Sequence, residues 1–267
     1  MKNINIKELS IQISLNGLSF CILNRTTSTI EVLKSVAFEE KLTPFTVLNR
    51  LKTELDDSVY NQNFHSVNII HQNDLVALVP AEMYDENYKA DYLKFNNKIL
   101  KTDFITTDEI AVNNGINVYI PYVNINNYIF ERFGEFSYKH ASSILIDNVL
   151  QETKPKTTPQ VFINVNYSNI EVMVIGNNSD LMLFNIFEST CKEDFIYYVL
   201  FVFEQLGLDT ELSVIKLSGL ISEGDEYYNL LYTYVRYIEI IEPKLSFNFS
   251  NITSSNLHNH YLILNSF

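Results

Sequence analysis

Residues 11–23 (IQISLNGLSFCIL) and 161–173 (VFINVNYSNIEVM) decide the reading of this chain. Each is an apolar strand that breaks at a polar tripeptide, Ser14-Leu15-Asn16 in the first and Asn164-Val165-Asn166 in the second, and then resumes as a second strand. Each is followed by a third strand and a long helix. A unit that recurs 150 residues later marks a chain built from two similar halves with a cleft between them. The expected class is α/β, each half a mixed sheet opened by a three-stranded meander with helices on both faces.

Working outward, Asn16-Gly17 favours a tight hairpin turn, and Thr29–Phe38 reads as the third strand. Thr43 caps a helix with Pro44 at its first position and Val47, Leu48, Leu51 and Leu55 at helical spacing. Strands are expected at Val67–His71, Leu75–Pro80, Phe104–Thr107, Asn117–Val123 and Phe136–His140. Helices are expected at Tyr84–Phe95, Asn126–Phe133 and Ala141–Gln151. Thr153–Pro159 (TKPKTTP) is the linker, so residues 1–152 and 153–267 form the two lobes. Beyond it come strands at Val161–Val165, Asn169–Ile175 and Leu181–Phe187. The helix Lys192–Leu206 is apolar nearly all round and should be covered on both faces until Gly207 stops it. Val214–Leu217 is a strand running into Ser218-Gly219. Glu226–Arg236 is a helix, Tyr237–Ile241 a strand, and the rest an Asn/Ser-rich tail with an apolar end.

Composition limits the function classes. The chain has 267 residues, 46% of them hydrophobic and 19% charged, which suits a folded protein with real cores. A net charge of −13 disfavours nucleic acid and anionic membrane surfaces as partners. No window approaches the ~18 apolar residues that span a bilayer, and the N-terminal octapeptide MKNINIKE has no apolar export signal. Two isolated cysteines, Cys21 and Cys191, fit a reducing cytoplasm, the expected location.

The order of elements resembles the actin-like ATPase superfamily, with its ribonuclease H-like lobes: actin, heat-shock chaperones, sugar kinases, and pilus and cell-division relatives. Within it, Val76–Tyr84 (VALVPAEMY) and Leu217–Leu231 (LSGLISEGDEYYNLL) resemble an uncharacterised bacterial family noted for an actin-like fold. The superfamily turns carry an apolar-Asp-apolar-Gly motif for phosphate and magnesium, and a later strand ends in Gly-Gly against the nucleotide. By this resemblance the Asp positions fall on Ser14 and Asn164, the Gly positions on Asn16 and Asn166, and the Gly-Gly pair on Ser218-Gly219. Gly17 and Ser168 complete the two turns. Neutral Ser and Asn hold Mg²⁺ poorly, and an Asn side chain fills space that Gly leaves to phosphate. The same residues also read as plain turn residues bonding nearby backbone.

Other constellations are weaker. His258 and His260 look like a metal pair but lack further ligands, and read as a surface tail. His65, His71 and His140 are scattered. The acid pairs Asp56-Asp57 and Asp108-Glu109 read as solvated helix ends or loops. No phosphate-binding glycine loop occurs. The aromatic run Tyr227–Tyr237 reads as a packing helix, with Tyr234 or Tyr237 free to meet a partner.

The expected function is a non-catalytic, protein-binding module without a cofactor. The alternative is a divergent nucleotide-binding ATPase or kinase-like enzyme using ATP and Mg²⁺ in the cleft.

Overall fold

The computed structural model describes residues 5–250 and 256–267. The first residues of the N-terminal octapeptide and the middle of the Asn/Ser-rich tail, 251–255, lie outside the described residues. The first lobe opens with strands β1 (Lys7–Ile13), β2 (Gly17–Asn24) and β3 (Thr29–Ala37), followed by helix α1 (Pro44–Leu55) and strand β4 (Ser66–His71). Thr43 caps α1, its hydroxyl accepting from the Thr46 N–H at 3.3 Å, and Val47, Leu51 and Leu55 bury one face.

Next come β5 (Val76–Pro80), helix α2 (Lys89–Lys94), β6 (Thr106–Ile110), β7 (Gly115–Tyr119), α3 (Val123–Phe133), β8 (Ser137–His140) and α4 (Ala141–Glu152). The second lobe holds β9 (Gln160–Val165), β10 (Asn169–Ile175), β11 (Leu181–Glu188), α5 (Lys192–Leu206), β12 (Val214–Gly219), α6 (Glu226–Tyr232) and β13 (Tyr237–Ile240). The tail adds β14 (Asn248–Phe249) and α7 (Tyr261–Leu264).

The duplication is explicit in strand order. The first sheet runs β14-β3-β2-β1-β4-β8 and the second β11-β10-β9-β12-β13. In each, an antiparallel meander is extended by two parallel strands. Helices α1 and α3 cover one face of the first sheet and α5 and α6 one face of the second. Between the lobes lies a shared apolar layer: Cys21, Leu23 and Ile70 from one sheet, Phe162, Met173 and Ile175 from the other, with α4 and α7 wedged between.

Several expectations are corrected. β5, β7 and β6 form a separate three-stranded antiparallel sheet, where one mixed sheet was expected. Its own small core, Val79, Leu93, Val118 and Ile120, explains the independence. The helix expected from Tyr84 begins only at Lys89, after 3-10 turns at Ala81–Met83 and Glu86–Tyr88. The strand expected at Phe104–Thr107 starts at Thr106, and the helix expected to reach Arg236 ends at Tyr232. The α5 helix has one covered face: Phe195, Val199, Val202 and Phe203 are buried, whereas Tyr197 and Phe201 face solvent. Its apolar outer side is an aromatic surface strip. The tail leaves the second lobe, and β14 pairs in parallel with β3. His258 is buried there, which corrects its reading as a surface residue.

Asp108, read as solvated, is buried on β6. It accepts hydrogen bonds from the Ser143 and Tyr119 hydroxyls and the His140 N–H. Burial raises its pKa despite these donors. His71 and His140, scattered in sequence, lie opposite each other on β4 and β8. Each Nδ1 accepts a backbone N–H, from Tyr122 and Ser142 respectively. Each Nε2 then donates, to Asn126 Oδ1 at 2.9 Å and to the Asn73 carbonyl at 3.2 Å. Both rings are therefore neutral in the fold, and burial lowers their pKa values to about 4 and about 3.

Candidate functional site

The two meander turns face a cleft of about 1240 Å³ between the lobes. Ser14, Asn16, Gly17, Asn164, Asn166, Ser168 and Gly219 all line it, while Ser218 is fully buried beneath. The eight positions singled out from the sequence are thus brought together at one place, by identical strand order in both sheets.

Their side chains are turned on one another. Ser14 Oγ donates to the Gly17 carbonyl at 3.1 Å and accepts from the Asn16 N–H at 3.2 Å, fastening its own turn. Asn164 Oδ1 accepts from Ser218 Oγ at 2.8 Å, and its Nδ2 donates to Glu171 at 2.7 Å and to Asn166 Oδ1 at 3.2 Å. Asn166 Nδ2 donates to Asn169 Oδ1 at 2.8 Å and to Glu171 at 3.2 Å. Two bonds cross between lobes: Gln72 Nε2 to Asn166 Oδ1 at 3.0 Å and Ser168 Oγ to Asn16 Oδ1 at 3.0 Å. Gln12 Nε2 extends the chain to Gln72 Oε1 at 2.8 Å.

Four members of this web, Gln12, Gln72, Asn169 and Glu171, were missed in sequence. Glu171 is buried, and desolvation raises its pKa against the pull of the two Asn amides. It pairs across the strands with Asn164. The turn bonds Ser14 N–H to Gly17 carbonyl and Asn166 N–H to Asn169 carbonyl close the two hairpins alike. Superposing the two turns makes Gln12 the equivalent of Asn164 and Ser14 that of Asn166, which corrects the matching of Ser14 with Asn164. Aligning the halves on their turns, rather than on their polar tripeptides, is the signal that finds Gln12.

Gly219 has a structural duty. Its φ is +82°, and a Cβ there would lie 2.1 Å from the Val165 carbonyl oxygen and 2.9 Å from Asn164 Oδ1. Gly219→Ala is expected to cost about 2–4 kcal/mol, from left-handed strain plus overpacking. Urea unfolding checks it, and a loss below about 1 kcal/mol contradicts it.

Lys41 is the one Lys or Arg lining the cleft among the described residues, against Asp74, Asp91 and Glu188. No group of three or more His, Cys, Asp or Glu suited to a metal occurs among the described residues. The floor of the site is a satisfied web of amides and hydroxyls, without an activated nucleophile. Chemically it is suited to clasping the two lobes.

The family model described as "Protein of unknown function (DUF3822)" matches residues 1–238. The chain belongs to that family. A Bacteroides thetaiotaomicron protein with an actin-like ATPase fold and unknown function is 22% identical, with a TM-score of 0.78 over 89% of this chain and 91% of that one. A PilM–PilN type IV pilus biogenesis complex matches at 11% identity, with a TM-score of 0.65 over 98% of both chains. The ethanolamine utilization protein EutJ from Carboxydothermus hydrogenoformans matches at 6% identity, with a TM-score of 0.50 over 98% of this chain and 89% of that one. No functionally curated protein matches the sequence. The fold of this DUF3822 member is the actin-like ATPase fold. Among its described residues, no helix is long and apolar enough to cross a membrane.

Proposed function

We propose that this protein is a non-catalytic, cytoplasmic interaction module that uses an actin-like fold to bind another protein. One observation carries the reading: the cleft floor is occupied by the chain's own hydrogen bonds. The amides of Asn164 and Asn166 are spent on Glu171, Ser218, Asn169 and Gln72. A metal–phosphate group would have to break that web, which also joins the lobes. It would find the exposed Lys41 as the one Lys or Arg among the described cleft residues. Phosphoryl transfer works by positioning and charge stabilisation, and these residues are committed elsewhere. Likeness to the PilM–PilN complex at 11% identity concerns the fold, so the partner reading rests on this chain's own surface. Met83 (74% exposed) and Phe95 (90% exposed) stand at the cleft mouth.

The alternative, a divergent nucleotide-binding ATPase or kinase-like enzyme, draws on the cleft volume of about 1240 Å³. A thermal-shift series with ATP and ADP, with and without Mg²⁺, separates the two. A micromolar site at ~1 mM ATP would add about 4 kcal/mol, a melting rise of roughly 8–16 °C. The expected result is no Mg²⁺-dependent rise. A rise of several degrees would overturn the interaction-module reading.

A further inference from the structure

The third meander strand is an edge strand in the second sheet, and its counterpart in the first sheet is covered. β3 receives β14 from the chain's own tail. The Asn248 N–H donates to the Ser28 carbonyl at 2.9 Å and the Ser250 N–H to the Ile30 carbonyl at 3.1 Å. The equivalent strand β11 ends its sheet with nothing paired beyond it among the described residues. Its sequence is LMLFNIFE, with no Pro or Lys of the kind that blunts an edge.

Strand parity identifies the free backbone groups. The Ser189 N–H donates to the Ser168 carbonyl, so residues of the same parity, Phe187 and Asn185, bond inward to β10. Phe184, Ile186 and Glu188 therefore turn their N–H and C=O outward. The Ile186 N–H is met only by its neighbour's side chain, Asn185 Oδ1 at 2.9 Å. That local bond is readily exchanged for an incoming strand. Phe184, Ile186 and Glu188 line the cleft, which Met83, Tyr92 and Phe95 also line.

We propose that β11 accepts an extended, apolar segment rich in Lys or Arg from a partner protein, as an added strand of the second sheet. This rests on the interaction-module reading and names its surface and its partner chemistry. Main-chain bonds to Phe184, Ile186 and Glu188 supply affinity, and alternate side chains reach the apolar lining of the cleft. The cation follows from Asp74, Asp91 and Glu188, which outnumber Lys41 in the lining. A second copy of the chain fits poorly. In the antiparallel β11–β11 register centred on Phe184, Glu188 of each copy would lie beside Asp180 of the other, and every register brings together two chains of net charge −13.

The test selects a displayed random octapeptide library on the full chain and measures the best peptide by fluorescence anisotropy. The expected winners alternate apolar residues with Lys or Arg. Ile186→Pro removes one outward donor and should weaken binding about tenfold, the worth of one main-chain hydrogen bond. Glu188→Lys keeps the backbone and should weaken basic peptides while tolerating acidic ones. Circular dichroism confirms that both variants fold. Enriched peptides indifferent to both substitutions would overturn the edge while leaving the interaction-module reading standing. An absence of enrichment, or self-association abolished by Ile186→Pro, would also overturn it. Mg²⁺-dependent ATP binding is the separate result that ends the underlying reading.

Discussion

Lowering the pH from 7 to about 4 is expected to destabilise this fold through His71 and His140. An unfolded histidine titrates near 6.5, whereas burial holds His71 to about 4 and His140 to about 3. Between those limits the unfolded chain binds more protons than the native one, so stability rises with pH and falls on acidification. The loss begins below about pH 6.5, and for His71 it amounts to about 3 kcal/mol by pH 4. Asp108 and Glu171 act in the opposite sense. Their raised pKa values favour the folded state as they take up protons, and part of the loss is offset. The His71→Gln variant isolates the effect, because its stability should depend on pH with about one proton less. Urea unfolding at several pH values reads that slope, and an unchanged slope contradicts a buried neutral His71.

The second large effect concerns α5. Phe195 is fully buried and meets Tyr227 edge-on, with ring centroids 5.5 Å apart. Phe195→Ala is expected to cost about 3–5 kcal/mol. Tyr197→Ala, on the solvent face of the same helix, should stay within about 0.5 kcal/mol. Denaturant unfolding of both variants tests whether the helix is covered on one side. Similar losses at both positions would restore the two-sided burial that composition alone implied.

The contrast shows what the sequence held. Strand alternation, the Thr43-Pro44 start and the Gly207 stop are local signals, and the elements they mark lie within a few residues of expectation. The repeated meander was legible because both copies keep their turns. The α5 faces were not, since an aromatic helix surface has the same composition whether water or a neighbour covers it. The buried cluster of His71, His140 and Asp108 depends on the pairing of β4 with β8 and on the small sheet's docking against α4. No local pattern encodes either. In the cleft, Ser14, Asn164 and Gly219 were found by resemblance to a motif. Glu171 was hidden inside an apolar strand, where its two Asn donors could not be read from spacing.

The tail has a consequence for synthesis. Ser250 bonds Ile30 across 220 residues of sequence, and Tyr261–Leu264 fill the layer between the sheets. At roughly 5–20 residues per second, a ribosome needs about 10–45 s to deliver the strand that covers β3. Through that interval the nascent first lobe carries a bare edge and an uncovered apolar face, held by Leu23, Ile30 and Ile70. That face is covered only once helix α7 has been made and packs against it.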